Sequence, residues 1–142
     1  MHKLLVAAAV LLSACAGPGG PTAVVAMPGG GQRLQYSLQP TGQEAWMVDV
    51  DASGKELHRY QALTFDNFNR IQPGWTVADI QREFGPPAKV DRVMSWQGPV
   101  WTYRWRDVAN SDMFYYVYFD EHGIVARAHQ GMELRNFRSP FR

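Results

Sequence analysis

A single cysteine, Cys15, stands in 142 residues. That scarcity excludes an internal disulfide framework, a CxxC redox pair and a cysteine-built zinc site. Charge of one sign is also lacking: 14 Lys and Arg oppose 13 Asp and Glu, so no basic field favours nucleic acid and no excess of either sign draws in a charged substrate. Long apolar runs are missing too. The longest, Leu4 to Leu12, is nine residues, against the ~20 helical residues that cross a hydrocarbon layer. Absent as well are the spacings HExxH, GxSxG and GxxxxGK[ST], and no second cysteine is left for nucleophilic work, so the chain reads as non-enzymatic. What remains is a composition, 46% apolar and 19% charged, that suits one globular domain.

The opening residues carry an address. Met1-His2-Lys3 is a short positive start, Leu4 to Leu12 an apolar stretch, and Ser13-Ala14-Cys15 closes it with small side chains, the pattern of a secretory signal over residues 1–14. Leu12-Ser13-Ala14-Cys15 resembles the bacterial lipoprotein box, which implies acyl chains on Cys15. Each buried CH₂ is worth ~0.8 kcal/mol, and a cysteine carrying several chains stays bound to membrane lipid. In the enteric sorting pattern a residue other than Asp after the cysteine, here Ala16, implies the outer membrane, with the domain facing the periplasm. Loss of Lys3 with the signal leaves 13 basic and 13 acidic side chains. Residues 15–31 are rich in Gly and Pro and uncharged, and read as a tether.

From Gln32 onward apolar and polar residues alternate. Leu34, Tyr36 and Leu38 share one side of a first strand. Trp46, Val48 and Val50 oppose Met47, Asp49 and Asp51 on a second, and Asp51-Ala52-Ser53-Gly54 forms a turn before a third. Thr64 caps a short helix carrying Phe65, Phe68 and Ile71. Thr76 caps a second, with Asp79 at N3 and Trp75 packing on Ile80, and Gly85-Pro86-Pro87 ends it. Four strands follow, near 89–94, 100–106, 113–119 and 124–130. The expected fold is α+β: two short helices packed on an antiparallel sheet, preceded by an extra β-hairpin region. The domain spans 32–130, and a basic and aromatic tail, 131–142, follows. The Val48–Gly54 turn and the Val117–Gly123 turn look alike, either as a repeat or as two ordinary hairpins.

Ile71-Gln72-Pro73-Gly74-Trp75-Thr76, Ile80, Phe84-Gly85-Pro86-Pro87, Trp101-Thr102-Tyr103-Arg104-Trp105 and Val117-Tyr118-Phe119-Asp120 with Gly123 and Val125 together resemble the SmpA/OmlA (BamE-like) outer-membrane lipoproteins over about 67–128. The resemblance implies two helices on a three-stranded antiparallel sheet, no catalysis and a role beside the proteins that assemble outer-membrane β-barrels. Trp75 stands where that family usually has methionine and Phe84 where it has leucine, and the strands from Gln32 to Leu63 replace the family's own leading segment. A periplasmic inhibitor-like or ligand-binding domain of the β-lactamase-inhibitor type is the alternative.

No metal or cofactor site is expected. Asp49-Val50-Asp51-Ala52-Ser53-Gly54 imitates half a calcium loop, but its twelfth position is Tyr60 instead of glutamate, so a hairpin turn explains it. Asp49 and Asp51 read as a solvated strand face, and His58, His122 and His129 share no ligand spacing. The candidate partner surface is Phe114, Tyr116 and Tyr118 with Arg104 and Arg106 from a neighbouring strand, residue types that dominate interface energetics. Burial of that row beneath the helices is the competing expectation.

Overall fold

The computed structural model describes residues 19–134; Cys15 and residues 135–142 lie outside them. Two four-stranded antiparallel sheets make up the molecule. The first runs in order β1 (Ala23–Ala26), β2 (Gln32–Ser37), β3 (Ala45–Val50) and β4 (Glu56–Gln61). The second runs β5 (Lys89–Asp91), β6 (Val100–Arg106), β7 (Asp112–Phe119) and β8 (Val125–Met132). Between them in sequence lie α1 (Phe65–Phe68) and α2 (Val77–Phe84). Among the described residues no helix is long and apolar enough to cross a membrane.

The architecture corrects the expected one. It is mostly β, with two complete sheets and helices of four and eight residues, not a helix-covered sheet with a leading hairpin. Part of the reason lies in the tether. Ala23–Ala26 pairs with Gln32–Gln35, so a segment bracketed by Gly and Pro supplies the edge strand that turns three strands into a sheet. The other part is an inverted alternation. The strands of the first sheet turn Met47, Arg33 and Gln35 inward, all at most 6% exposed, while on the opposite face Trp46 is 39% exposed and Val48 only 3%. Asp49 is not a solvated carboxylate, because both its oxygens accept from Arg33, at 2.7 and 2.9 Å. A polar residue directed inward defeats the reading of alternation that places hydrophobes inside.

Helix α2 forms as its cap residues require. The Thr76 hydroxyl accepts from the Asp79 N–H at 3.1 Å, and the Asp79 carboxylate accepts from the Thr76 N–H at 2.8 Å, satisfying two of the helix's free donors. The far end is held by both sheets. Arg33 Nη1 donates to the Arg82 carbonyl (3.1 Å), Gln35 Nε2 to the Gln81 and Arg82 carbonyls (2.7 and 3.2 Å), and the Tyr103 hydroxyl to the Gly85 carbonyl (2.7 Å). The Arg82 and Gly85 carbonyls are among those a helix end leaves without partners, the Gln81 carbonyl also accepts the Gly85 N–H (2.8 Å), and Arg33 adds a positive charge where the helix dipole favours one. Asp49 hydrogen bonding raises the Arg33 guanidinium pKa further above its usual range.

A single core joins the two sheets through the helices: Ala45 and Met47 from the first sheet, Phe68, Ile80 and Phe84 from the helices, and Tyr103, Trp105, Tyr115, Val117 and Phe119 from the second. Phe68 is its centre. Its ring stacks on Tyr115 (4.2 Å) and Phe84 (4.9 Å) and meets the edge of Trp105 (5.5 Å), with about 2–3 kcal/mol from burial of such a side chain.

Arg33→Ala removes the ion pair with Asp49 and one helix-end donor together, and is expected to cost about 3 kcal/mol, seen as a melting temperature lower by roughly 10 °C. Asp79→Asn carries a pH signature. The Thr76 backbone N–H, foremost, holds the Asp79 carboxyl below its ordinary pKa, so its contribution is complete above the ordinary carboxylate range and fades as pH falls through the lower folded value. Denaturant titration should show Asp79→Asn destabilised by about 1 kcal/mol at neutral pH and the gap to the native chain closing in acid.

Candidate functional site

The strand β6 alternates strictly. Tyr103 and Trp105 are buried in the core and Trp101 packs against it, while Thr102 and Arg104 take the opposite face with Arg106. Register extends that division across the sheet. Arg104 pairs with Phe114, Thr102 with Tyr116 and Val100 with Tyr118; on the other side Phe114 pairs with Gly131, Tyr116 with His129 and Tyr118 with Arg127. Antiparallel partners project to the same side, so Phe114, Tyr116 and Tyr118 share one face with His129 and Arg127. The helices pack on the other, where Tyr115 and Phe68 stack.

The five candidate residues are thus brought onto one surface, in two different states. Phe114, Tyr116 and Tyr118 are half-buried against one another and their neighbours: Phe114 to Tyr116 is 5.9 Å between ring centroids, and His129 lies 5.3 Å from Tyr116 and 5.4 Å from Tyr118. Desolvation raises the Tyr116 hydroxyl pKa. Close packing over the last strand explains Gly131: a Cβ there would stand 3.1 Å from Tyr116 Cε2.

Arg104 has lost most of its freedom to bind a partner, while Arg106 stays exposed with one ion pair. Arg104 forms a two-pronged pair with Glu133 (3.0 and 2.9 Å) and donates from Nη1 to the Pro40 and Thr41 carbonyls (2.9 and 2.8 Å). Its hydrogen bond to Glu133 raises its pKa. Where β5 stops short, the Gln39 side chain continues the ladder: its Nε2 donates to the Arg104 carbonyl at 2.7 Å and its Oε1 accepts the Arg104 N–H at 2.9 Å. Arg106 pairs with Asp112 at 3.2 Å. These contacts make Arg104 a post that ties the β2–β3 loop to the second sheet, more than a recognition group.

Two residues that sequence reasoning passed over complete the face. Trp96 donates its indole N–H to the Phe119 carbonyl (2.6 Å) and sets its ring edge-on to Tyr118 at 5.4 Å. Arg127 lies over Tyr118 at 4.2 Å and over Trp96 at 5.1 Å. Among the described residues no carboxylate pairs with it. Arg127 and His129 were legible in principle, because the Asp120–Gly123 turn sets the register of the strands that it joins. Trp96 was not, since no periodicity reaches an irregular loop. Beside the aromatic row a groove of about 530 Å³ is lined by Lys89, Thr102, Arg104, Phe114, Tyr116 and Glu133 among others.

The remaining candidates are dispersed. Asp51 accepts from the Ser53 N–H and hydroxyl and from the Lys55 N–H, at 2.6–2.9 Å, which closes the hairpin turn; the Ser53 hydroxyl, foremost, lowers its pKa. His58 lies beside Tyr60 in the first sheet and His122 in a turn of the second. Among the described residues no three His, Cys, Asp or Glu side chains are placed to hold a metal ion. No family model, curated protein or solved structure matches the chain.

Neighbouring positions on β7 separate core from surface. Tyr115→Ala removes a stacking partner of Phe68 and is expected to cost about 3–4 kcal/mol. Tyr116→Ala, on the open face, is expected to cost about 1 kcal/mol. Thermal melts of the two variants check the difference.

Proposed function

We propose that this chain is a lipid-anchored lipoprotein of the outer membrane, facing the periplasm, that serves as a non-enzymatic binding module in β-barrel protein assembly or envelope integrity. The observation that carries the binding role is the half-buried aromatic row Phe114, Tyr116 and Tyr118, on which no helix or second sheet of the described residues packs, flanked by Trp96, His129 and Arg127, which has no carboxylate partner among those residues. A helix-free face this rich in aromatic rings, its geometry held by neighbours, offers apolar area and cation–π character at little ordering cost. The anchor rests on the lipobox ending at Cys15, and the choice of barrel-assembly proteins as partners on the SmpA/OmlA-like residues between about 67 and 128.

Anchor and surface are separable. Cys15→Ser is expected to move the chain from the membrane fraction to the soluble one. A photoreactive side chain at position 118, in intact cells, is expected to form an adduct with a barrel-assembly component that Tyr116→Ala abolishes with little change in melting temperature. Adducts that persist unchanged in Tyr116→Ala would contradict the surface, and membrane retention of Cys15→Ser the anchor.

A further inference from the structure

The second sheet ends in a long strand whose outer edge is mostly unpaired among the described residues. Glu133 donates its N–H to the Asp112 carbonyl at 3.0 Å, and with the β7–β8 register this assigns the hydrogen-bonded pairs to Phe114 with Gly131, Tyr116 with His129 and Tyr118 with Arg127. The N–H and C=O groups of Ala128, Gln130 and Met132 therefore point away from β7. Only the start of the edge is occupied: Val125 donates to the Trp75 carbonyl (2.7 Å) and accepts from the Gly74 N–H (2.9 Å). The edge strands β1 and β5 span four and three residues, and β4 carries an exposed Glu56–Arg59 pair. β8 has eight residues, no proline and no lysine, so it lacks two of the usual devices that blunt a free edge.

What pairs with this edge is indicated by its own side chains. In an antiparallel arrangement centred on Gln130, the positions from 127 to 133 meet those of a second copy in reverse order. Arg127, which has no carboxylate partner among the described residues, falls opposite the partner's Glu133, a carboxylate that also holds Arg104 within its own chain; His129 falls opposite the partner's Gly131; Ala128 falls opposite the partner's Met132. Met132 is 65% exposed, and on its side of the sheet Ala128 borders a groove of about 380 Å³ lined by Phe68, Ile71, Pro73 and Tyr115 among others. A large apolar side chain thus meets a small residue beside an apolar recess, and both relations repeat by symmetry at the other end. The Gly74–Trp75 segment stops the pairing before Val125 and so holds the register.

We propose that two copies of the chain associate through antiparallel pairing of β8, with Gln130 on the two-fold axis. The pairing joins their second sheets into one of eight strands and makes the two aromatic faces continuous. Hydrogen-bonded antiparallel partners have Cα atoms about 5.5 Å apart, within disulfide range. The test is Gln130→Cys in the full chain in its membrane, under mild oxidation. The expected product is a reducible dimer in excess of any from the unmodified chain, absent from Arg59→Cys on the β4 edge. A second measurement is sedimentation of the purified acylated chain in detergent, where Arg127→Glu sets like charges opposite one another at both ends and is expected to weaken association roughly tenfold. Gln130→Cys chains that fold and stay uncrosslinked, or that crosslink no more than Arg59→Cys, would overturn the proposal, as would an unmodified chain that sediments as a monomer at every concentration.

Discussion

The carboxyl end of α2 is where the two sheets become one molecule. Arg82 and Gly85 present carbonyls that an eight-residue helix cannot satisfy internally, and the Gln81 carbonyl, which accepts the Gly85 N–H, takes a second donor. Arg33 and Gln35 reach them from the first sheet and Tyr103 from the second. Left unmet in a dry interior, each carbonyl would cost about 1–3 kcal/mol. The arrangement therefore fixes the distance and angle at which the sheets face each other, and the aromatic core fills the space so defined. Burial of the Tyr103 phenol raises its pKa well above the usual value, which keeps the donor protonated.

This interior explains why the outer face of the second sheet is free. Both helices and the first sheet are engaged on the side of Tyr103, Trp105 and Tyr115, so among the described residues no helix and no second sheet packs on Phe114, Tyr116 and Tyr118, and Trp96 and Arg127 lean on Tyr118. Their neighbours hold the face in shape. Arg104 is clasped by Glu133 and two carbonyls, Gln39 replaces the missing end of β5, and Trp96 is pinned to the Phe119 carbonyl. A surface whose side chains are already ordered loses less entropy when a partner arrives.

Much of the second half was readable from residues alone. The Thr76–Asp79 capping box, the Gly85 stop and the alternation of β6 and β7 follow local rules, and each appears where those rules put it. The first sheet was not readable in the same way. Its inner face carries Arg33, Gln35 and Asp49, whose presence makes sense only once α2 is there to receive hydrogen bonds from two of them, a relation between residues some 50 positions apart. Ala23–Ala26 was likewise hidden, because four residues between glycines become a strand only when a neighbour supplies the ladder. Of the proposed surface, the row of rings was visible as periodicity. That Arg104 is structural, and that Trp96 and Arg127 extend the face, depended on register and loop geometry.

The central claim is that one face of the second sheet is core and the other open. Hydroxyl-radical footprinting of the purified full chain tests it on neighbouring residues of the same strands. The account predicts strong labelling of Tyr116, Tyr118 and Trp96, with Tyr103, Tyr115 and Trp105 protected. Equal protection of both sets would show that something covers the aromatic row, and would contradict it.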